Sequence, residues 1–549
     1  MAGAGSHHDV IILGGGLAGL TLALQLRDRL AGLDIVVLER RSLPYPEAAH
    51  KVGESTVEIG AHYFAHVLGL REHLEHEQLC KFGFRFFFSE GRRDLDAVSE
   101  IGASRHLSVP SYQIDRGLFE NFLAAEAERR GIRFLEGATV RQVDLAEAGV
   151  GGHTARDHTV VYEHSGTRHS AGARWVVDAS GRMGLLKRKL GLAEGNDHAC
   201  HAVWFRIADR LVIDDWCDDA AWRGRCKPQA RWLSTNHLVG AGYWVWLIPL
   251  ASGSHSVGIV ADPAQHPLAT MDTFERAMEW LGEHQPLVFD ALDERRHLLQ
   301  DFAFRRRFSY GCRQVFSGNR WALTGEAGLF LDPFYSPGSD FIGISNTYIT
   351  ELVARDQAGA SIARPARQFE QLYQSFYAST LTLYTQQYPL FGDPEVLPLK
   401  VIWDYTYYWG VLAQFFFHGR LTDLASVSTL QPELLHCQQL NQTMQTFLRC
   451  WSALTDKRDP AVMYDQAAMP WFAELNRSLN DELSAECFVA RIRQSRRQLS
   501  DLAGEIADRA TAGRPAPDAT ALRRLAASGM SAEPAIEVAA MLPRARGAA

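Results

Sequence analysis

Gly14, Gly16 and Gly19 stand at G-x-G-x-x-G spacing, with Ala18 inside the loop. That spacing suits a bound dinucleotide. The first glycine allows a tight turn, the second lets backbone approach a pyrophosphate, and the third lets a helix pack on its strand. Such a loop works only if elements on both sides hold it. Val10 to Leu13 is an apolar, β-branched run, as in a buried parallel strand. Leu20 to Leu30 is apolar at helical period, so its N-terminus would aim N–H groups at phosphate. A second apolar run, Ile35 to Leu38, ends in Glu39, with Arg40 next to it. An acid there accepts hydrogen bonds from a ribose 2′-OH and disfavours a 2′-phosphate. No second G-x-G-x-x-G lies between Glu39 and Gly325. No separate nicotinamide-binding domain is therefore expected, and electrons would come from a partner reductase.

Two further stretches carry chemistry. In Leu79-Cys80-Lys81-Phe82-Gly83-Phe84-Arg85-Phe86, a period-two strand would put the cysteine and phenylalanines on one face and Lys81, Gly83 and Arg85 on the other. A lysine in so apolar a run suffers desolvation unless it has a partner or a task. The alternative is a lysine paired for structure. In Trp244-Val245-Trp246-Leu247-Ile248-Pro249, the two indoles stand two residues apart and share one face of a strand. Core packing beside Tyr243 is the plain alternative.

These segments resemble those of the flavin-dependent halogenases. Trp244 to Pro249 resembles that family's Trp-x-Trp-x-Ile-Pro signature, and Lys51-Val52-Gly53-Glu54-Ser55-Thr56 resembles its V-G-E-[AS]-[ST] loop beside the flavin. Leu79 to Phe86 resembles the strand bearing its active-site lysine. Trp175 to Arg182, with Asp178, resembles the A-[ST]-G segment of flavin monooxygenases, and Gln113 to Phe119 resembles their helix start, in which Arg116 reaches the cofactor. Asn319 to Ala327 resembles the strand whose terminal Gly-Asp binds the ribityl chain, here Gly325 and a longer Glu326. The likeness spans residues 8 to 350. It implies FAD, used as FADH2 with O2 and chloride or bromide, in a flavin monooxygenase-like α/β fold. Halide would be oxidised to hypohalous acid, which travels through the protein to the substrate. Lys81 would aim it at an electron-rich carbon, with Lys51 as a rival. Trp244 and Trp246 would shield the flavin from the organic substrate.

One loop departs from the resemblance. In the family, two adjacent N–H groups hold the halide. The corresponding residues here are Ser336, Pro337, Gly338 and Ser339, and Pro337 has no N–H. Either halide binds through a shifted donor set, or the scaffold performs a halide-free oxidation as a monooxygenase or dehydrogenase. Tyr335 stands where tryptophan halogenases carry a glutamate. The resemblance then implies the branch acting on phenols, pyrroles or carrier-bound acyl groups, in natural-product biosynthesis. A third reading is a non-catalytic flavoprotein, against which Lys81 argues.

Composition sets the outer bounds. The chain has 549 residues, 46% hydrophobic, enough for two or three subdomains around large cores. A net charge of −8 argues against nucleic acid as partner. No apolar run reaches membrane-spanning length, no signal-peptide pattern opens the chain, and eight cysteines lack metal spacing. A cytoplasmic protein with reduced thiols and no metal is expected. The expected division is an FAD-binding domain over 1–198 and 311–353, a substrate-side sheet over 199–310, a helical subdomain over 354–508 and a flexible tail over 509–549. The helical subdomain is aromatic (Phe369, Tyr373, Tyr377, Tyr405, Trp409) and serves either as plain core or as an apolar wall for substrate.

Overall fold

The computed structural model describes residues 6–46, 48, 51–146 and 157–529. They form two units. The first comprises Met1–Gln78, Ile114–Asp197 and Ser309–Tyr377; the second comprises Leu79–Gln113, His198–Phe308 and Ala378–Ala549.

The first unit is the α/β fold expected. Ser6–Leu13 lies at the centre of a sheet, parallel to Ile35–Leu38 on one side and Thr167–Asp178 on the other. Arg133–Leu135 extends one edge and Trp321–Leu323 pairs with the end of Thr167–Asp178. Antiparallel strands His158–His164 and Thr139–Asp144 complete it. Val10 to Leu13 and Ile35 to Leu38 are fully covered, which explains their unbroken apolar character. The helix Leu17–Arg29 begins directly after Gly16. A second helix, Gly338–Gln357, packs on it.

The second unit is built on an eight-stranded sheet. Its order is Leu299–Arg305, His201–Ile207, His255–Ala261, Tyr243–Pro249, Thr235–Gly240, Phe84–Phe87, Glu100–Gly102 and Met463–Asp465. One face buries Val203, Phe205, Val245, Leu247, Val257 and Ile259 against the helices Phe274–His284 and Pro286–Asp293. The alternate residues, among them Trp244 and Trp246, occupy the other face.

Three departures from the expected division have clear causes. Segment 79–113 belongs with the second unit, because Phe84–Phe87 pairs in parallel with Thr235–Gly240. The aromatic stripe of helix Ala363–Leu381 belongs with the first unit, where Phe369 and Tyr373 pack on Tyr348, Phe316 and Phe341. Part of the stretch expected as a flexible tail, 509–549, is helical: Ala485–Thr511 runs into it and Ala516–Ala527 follows, with Ala519, Leu522 and Ala526 buried at helical spacing. Residues 530–549 of that tail lie outside the described residues.

Candidate active site

In the first unit the glycine loop divides its labour by sterics. Gly14 has φ +112°, and a Cβ there would stand 2.5 Å from the carbonyl oxygen of Ala179. A Cβ on Gly19 would overlap the Gly14 oxygen, while a Cβ on Gly16 would meet nothing within 4 Å. Two glycines are thus fixed by the protein itself. The third leaves open space in front of a helix N-terminus, where a pyrophosphate fits. Ala18 closes the loop against Gly325, whose φ is +59° and whose Cβ would lie 2.9 Å from that of Ala18.

Glu39 is buried. Its carboxylate accepts the Gly15 N–H at 2.7 Å and the Arg41 N–H and Nε–H at 2.9 and 3.1 Å. It is therefore aimed at the loop, with lone pairs left for a ribose hydroxyl. Arg40, expected beside it, is exposed; Arg41 is the inward residue, stacked at 4.2 Å over the Tyr45 ring. Asp178 also differs from expectation. It is wholly buried and accepts from the Ser180 hydroxyl (2.6 Å), the Ser180 N–H (3.0 Å) and the Leu186 N–H (2.7 Å). Its carboxylate organises the turn after the strand. Glu326 pairs with Arg182 at 2.8 Å, and the Arg182 guanidinium lies over Phe330.

A charged ring surrounds the V-G-E loop. Arg116 opens the helix Arg116–Arg129; it donates to the Val52 carbonyl at 2.8 Å and to Glu120 at 2.5 Å. Lys51 contacts the same Glu120 carboxylate. Burial, then the charges of Arg116 and Arg41, hold the Lys51 ammonium down to about 6. Three cations, Lys51, Arg116 and Arg41, stand at the one buried Glu120 carboxylate, and the lysine is the one that holds its proton least tightly. Glu54 is buried, and its carbonyl accepts the Ile114 N–H at 2.7 Å. Arg41 was not read from the sequence, because a second arginine after the strand carries no motif.

The loop at 336–339 is a helix start. Ser336 has φ +50° and spends its N–H on the Pro333 carbonyl. Pro337 is the N-cap of Gly338–Gln357. The Ser339 hydroxyl points back at Gly60, leaving no room for a side chain there. Of the four residues expected to hold an anion, Gly338 and Ser339 lie in the first turn of the helix, where backbone N–H groups have no partner within the helix.

In the second unit Lys81 is buried, 3% exposed, with Nζ 3.4 Å from the Phe84 ring centroid. The expected alternation fails here. Strand pairing stops after Cys80 and resumes at Phe84, and Gly83 has φ +70°. That left-handed residue turns the chain so that Lys81 and Phe84 meet, although the simple strand would oppose them. From Phe84 a row of rings crosses the sheet: His237 at 5.2 Å, Trp244 at 5.0 Å from His237, and Trp246 at 5.6 Å from Trp244. Tyr405 approaches Phe84 at 6.2 Å and continues to Trp409. Both indoles are buried and hydrogen-bonded, Trp244 Nε1 to Tyr388 Oη at 3.0 Å and Trp246 Nε1 to Ser256 Oγ at 3.1 Å.

Comparison with known proteins fits this geometry. Residues 7–251 match the FAD binding domain family. The chain is 26% identical over 443 residues to a flavin-dependent halogenase of Dictyostelium discoideum, covering 74% of this chain and 70% of that one. It is 28% identical over 353 residues to a 1H-pyrrole-2-carbonyl-peptidyl-carrier-protein chlorinase of Pseudomonas fluorescens, covering 60% and 72%. In fold it resembles halogenase PltM solved with phloroglucinol and FAD, with a TM-score of 0.62 at 18% identity, covering 95% and 96%. The chain carries an FAD-binding domain and is similar to flavin-dependent halogenases.

Proposed function

We propose that this enzyme uses reduced FAD, oxygen and chloride or bromide to halogenate an electron-rich aromatic compound in natural-product biosynthesis. The observation that carries this reading is the ring row of the second unit, with buried Lys81 against Phe84 at one end and Trp244 and Trp246 at the other.

The residues of the first unit fit FAD. Open space at Gly16 receives the pyrophosphate, Glu39 accepts from the ribose, and Arg116 and Glu54 frame the loop on the flavin side. When bound, reduced FAD supplies the oxygen-activating chemistry that oxidises halide. The N–H groups of Gly338 and Ser339 hold the halide at the positive end of a 20-residue helix. This set replaces the donor that Pro337 cannot provide. Lys81 holds the resulting hypohalous acid through an N–H and presents its halogen to the aromatic carbon. Trp244 and Trp246 keep the organic substrate from the flavin. The substrate class is a phenol or pyrrole, free or tethered to a carrier protein, and a separate reductase supplies FADH2. The carrier form is supported by the chlorinase named above, which acts on a carrier-bound pyrrole.

The test is product mass. Purified protein with FAD, a flavin reductase, NADH and bromide is given phloroglucinol. Brominated product, absent without halide, is expected. Oxygenated or dehydrogenated product lacking halogen would replace this reading with a halide-free oxidation and make Pro337 its cause.

A further inference from the structure

The second unit holds Trp244 in place from a distant part of the chain. The short turn Tyr388–Leu390 is docked on the hairpin that joins Thr235–Gly240 to Tyr243–Pro249. Tyr388 grips that hairpin at both of its ends. Its carbonyl accepts the Gly242 N–H at 3.1 Å, and its hydroxyl accepts the Trp244 indole N–H at 3.0 Å. The docking is close: a Cβ on Gly392 would stand 2.6 Å from the Ala241 nitrogen. Gln386, which leads into the turn, has φ +60°, a conformation that a non-glycine side chain adopts only under constraint. Tyr388 is 2% exposed and Trp244 is 1% exposed. A buried indole N–H gains from an acceptor, and the Tyr388 hydroxyl supplies one along a fixed direction from the Trp244 ring. On the other side, His237 lies 5.0 Å from Trp244 and stacks on Phe86 at 4.6 Å.

We propose that Tyr388 is a positioning residue for the indole wall: its hydroxyl fixes the orientation of Trp244 and so sets how well substrate is kept from the flavin. It touches no reacting atom and acts through Trp244. The turn that carries it lies in the helical part of the chain, which sequence left between plain core and substrate wall. The functional half of this inference rests on the halogenase reading; the geometric half does not.

Tyr388→Phe removes the hydroxyl and leaves the ring. The direct readout is the indole 15N–1H spectrum of protein labelled at tryptophan, with the Trp244 signal identified by its loss in Trp244→Phe. An upfield proton shift of that signal in Tyr388→Phe is expected, with the other indole signals unmoved. An unmoved Trp244 signal overturns the proposal. The second readout is coupling, the halogenated product formed per NADH consumed. A several-fold fall is expected in Tyr388→Phe and an equal fall in Trp244→Phe, with no further fall in the double variant. Independent, additive losses would overturn the proposed route through Trp244. Wild-type protein that makes only halogen-free product would defeat the halogenase reading, while the indole signal would still decide the positioning role. Circular dichroism and the FAD dissociation constant guard against misfolding. If Tyr388→Phe does not fold, Tyr388→His offers a second acceptor, and recovery of the Trp244 signal and of coupling is expected.

Discussion

The glycine loop of the first unit and the indole row of the second are held by different means. In the loop, backbone meets backbone. Gly14 lies against the Ala179 carbonyl, Gly19 against the Gly14 carbonyl, and Glu39 accepts the Gly15 N–H. In the row, side chain meets side chain. Trp246 packs over Gly258, and Trp244 is held by Tyr388, 144 residues away in sequence. Backbone sterics leave a local pattern of glycines that can be read directly. Side-chain packing is distributed over strands and helices and leaves only residue types.

The largest break in this comparison is expected at Gly19. Gly19→Ala forces a methyl group onto the Gly14 oxygen and should abolish FAD binding and lower stability by about 3 kcal/mol. Gly16→Ala has open space and should leave the melting temperature of the FAD-free protein unchanged. Its FAD dissociation constant should rise by about tenfold or more, since the added methyl meets only the cofactor. Fluorescence titration with FAD and thermal melts separate the two. Equal effects of both variants would mean that Gly16 also serves packing.

In the second unit, Gly258→Ala drives a methyl into the Trp246 ring. Overpacking of this kind costs about 1–3 kcal/mol. The loss should appear in urea unfolding, while FAD affinity stays at the wild-type value. A changed FAD affinity would show that the two regions are less separable than their construction suggests.

A smaller effect is expected from pH. His255 is buried, and its Nδ1 accepts the Leu211 N–H at 3.2 Å, which only a neutral ring can do. Burial, then Arg210, hold it down to about 3 from 6.5. The unfolded chain therefore binds the proton more tightly. Stability is fully present above the unfolded value of 6.5 and is lost as pH falls through the window toward about 3. Between about pH 7.5 and about pH 5 the loss is ~2 kcal/mol by linkage. Urea midpoints for wild type and His255→Gln measure it. The variant is expected to be less stable at neutral pH but flatter across this range, and a wild-type slope in the variant would assign the effect elsewhere.

The same contrast explains what the sequence disclosed. Strand, loop, helix, strand and acid were legible from Val10 to Glu39 because each step is local. The strand at Tyr243–Pro249 was legible from its apolar run. Arg41 was hidden behind Arg40, because the direction in which the chain leaves Ile35–Leu38 decides which arginine turns inward. Asp178 was expected at the cofactor, yet its neighbours Ser180 and Leu186 claim its oxygens once the turn closes. Gly83 broke the alternation on which the facing of Lys81 was reasoned; its positive φ belongs to the folded chain and not to its residue type. Tyr388 had no sequence signal at all, since its partner lies on a distant strand.

The division between the regions is tested most directly by Lys81→Met, which keeps the stem against Phe84 and removes the amine. With FAD, reductase, NADH, oxygen and bromide, free hypobromous acid is trapped by monochlorodimedone in one reaction, and brominated phloroglucinol is measured in another. The account predicts that the variant binds FAD as the wild type does and still brominates the trap, while phloroglucinol bromination falls by about a hundredfold, the scale on which positioned proton-donating groups act. Wild-type bromination of phloroglucinol by Lys81→Met would contradict it, and the lysine against Phe84 would then be a packing residue alone.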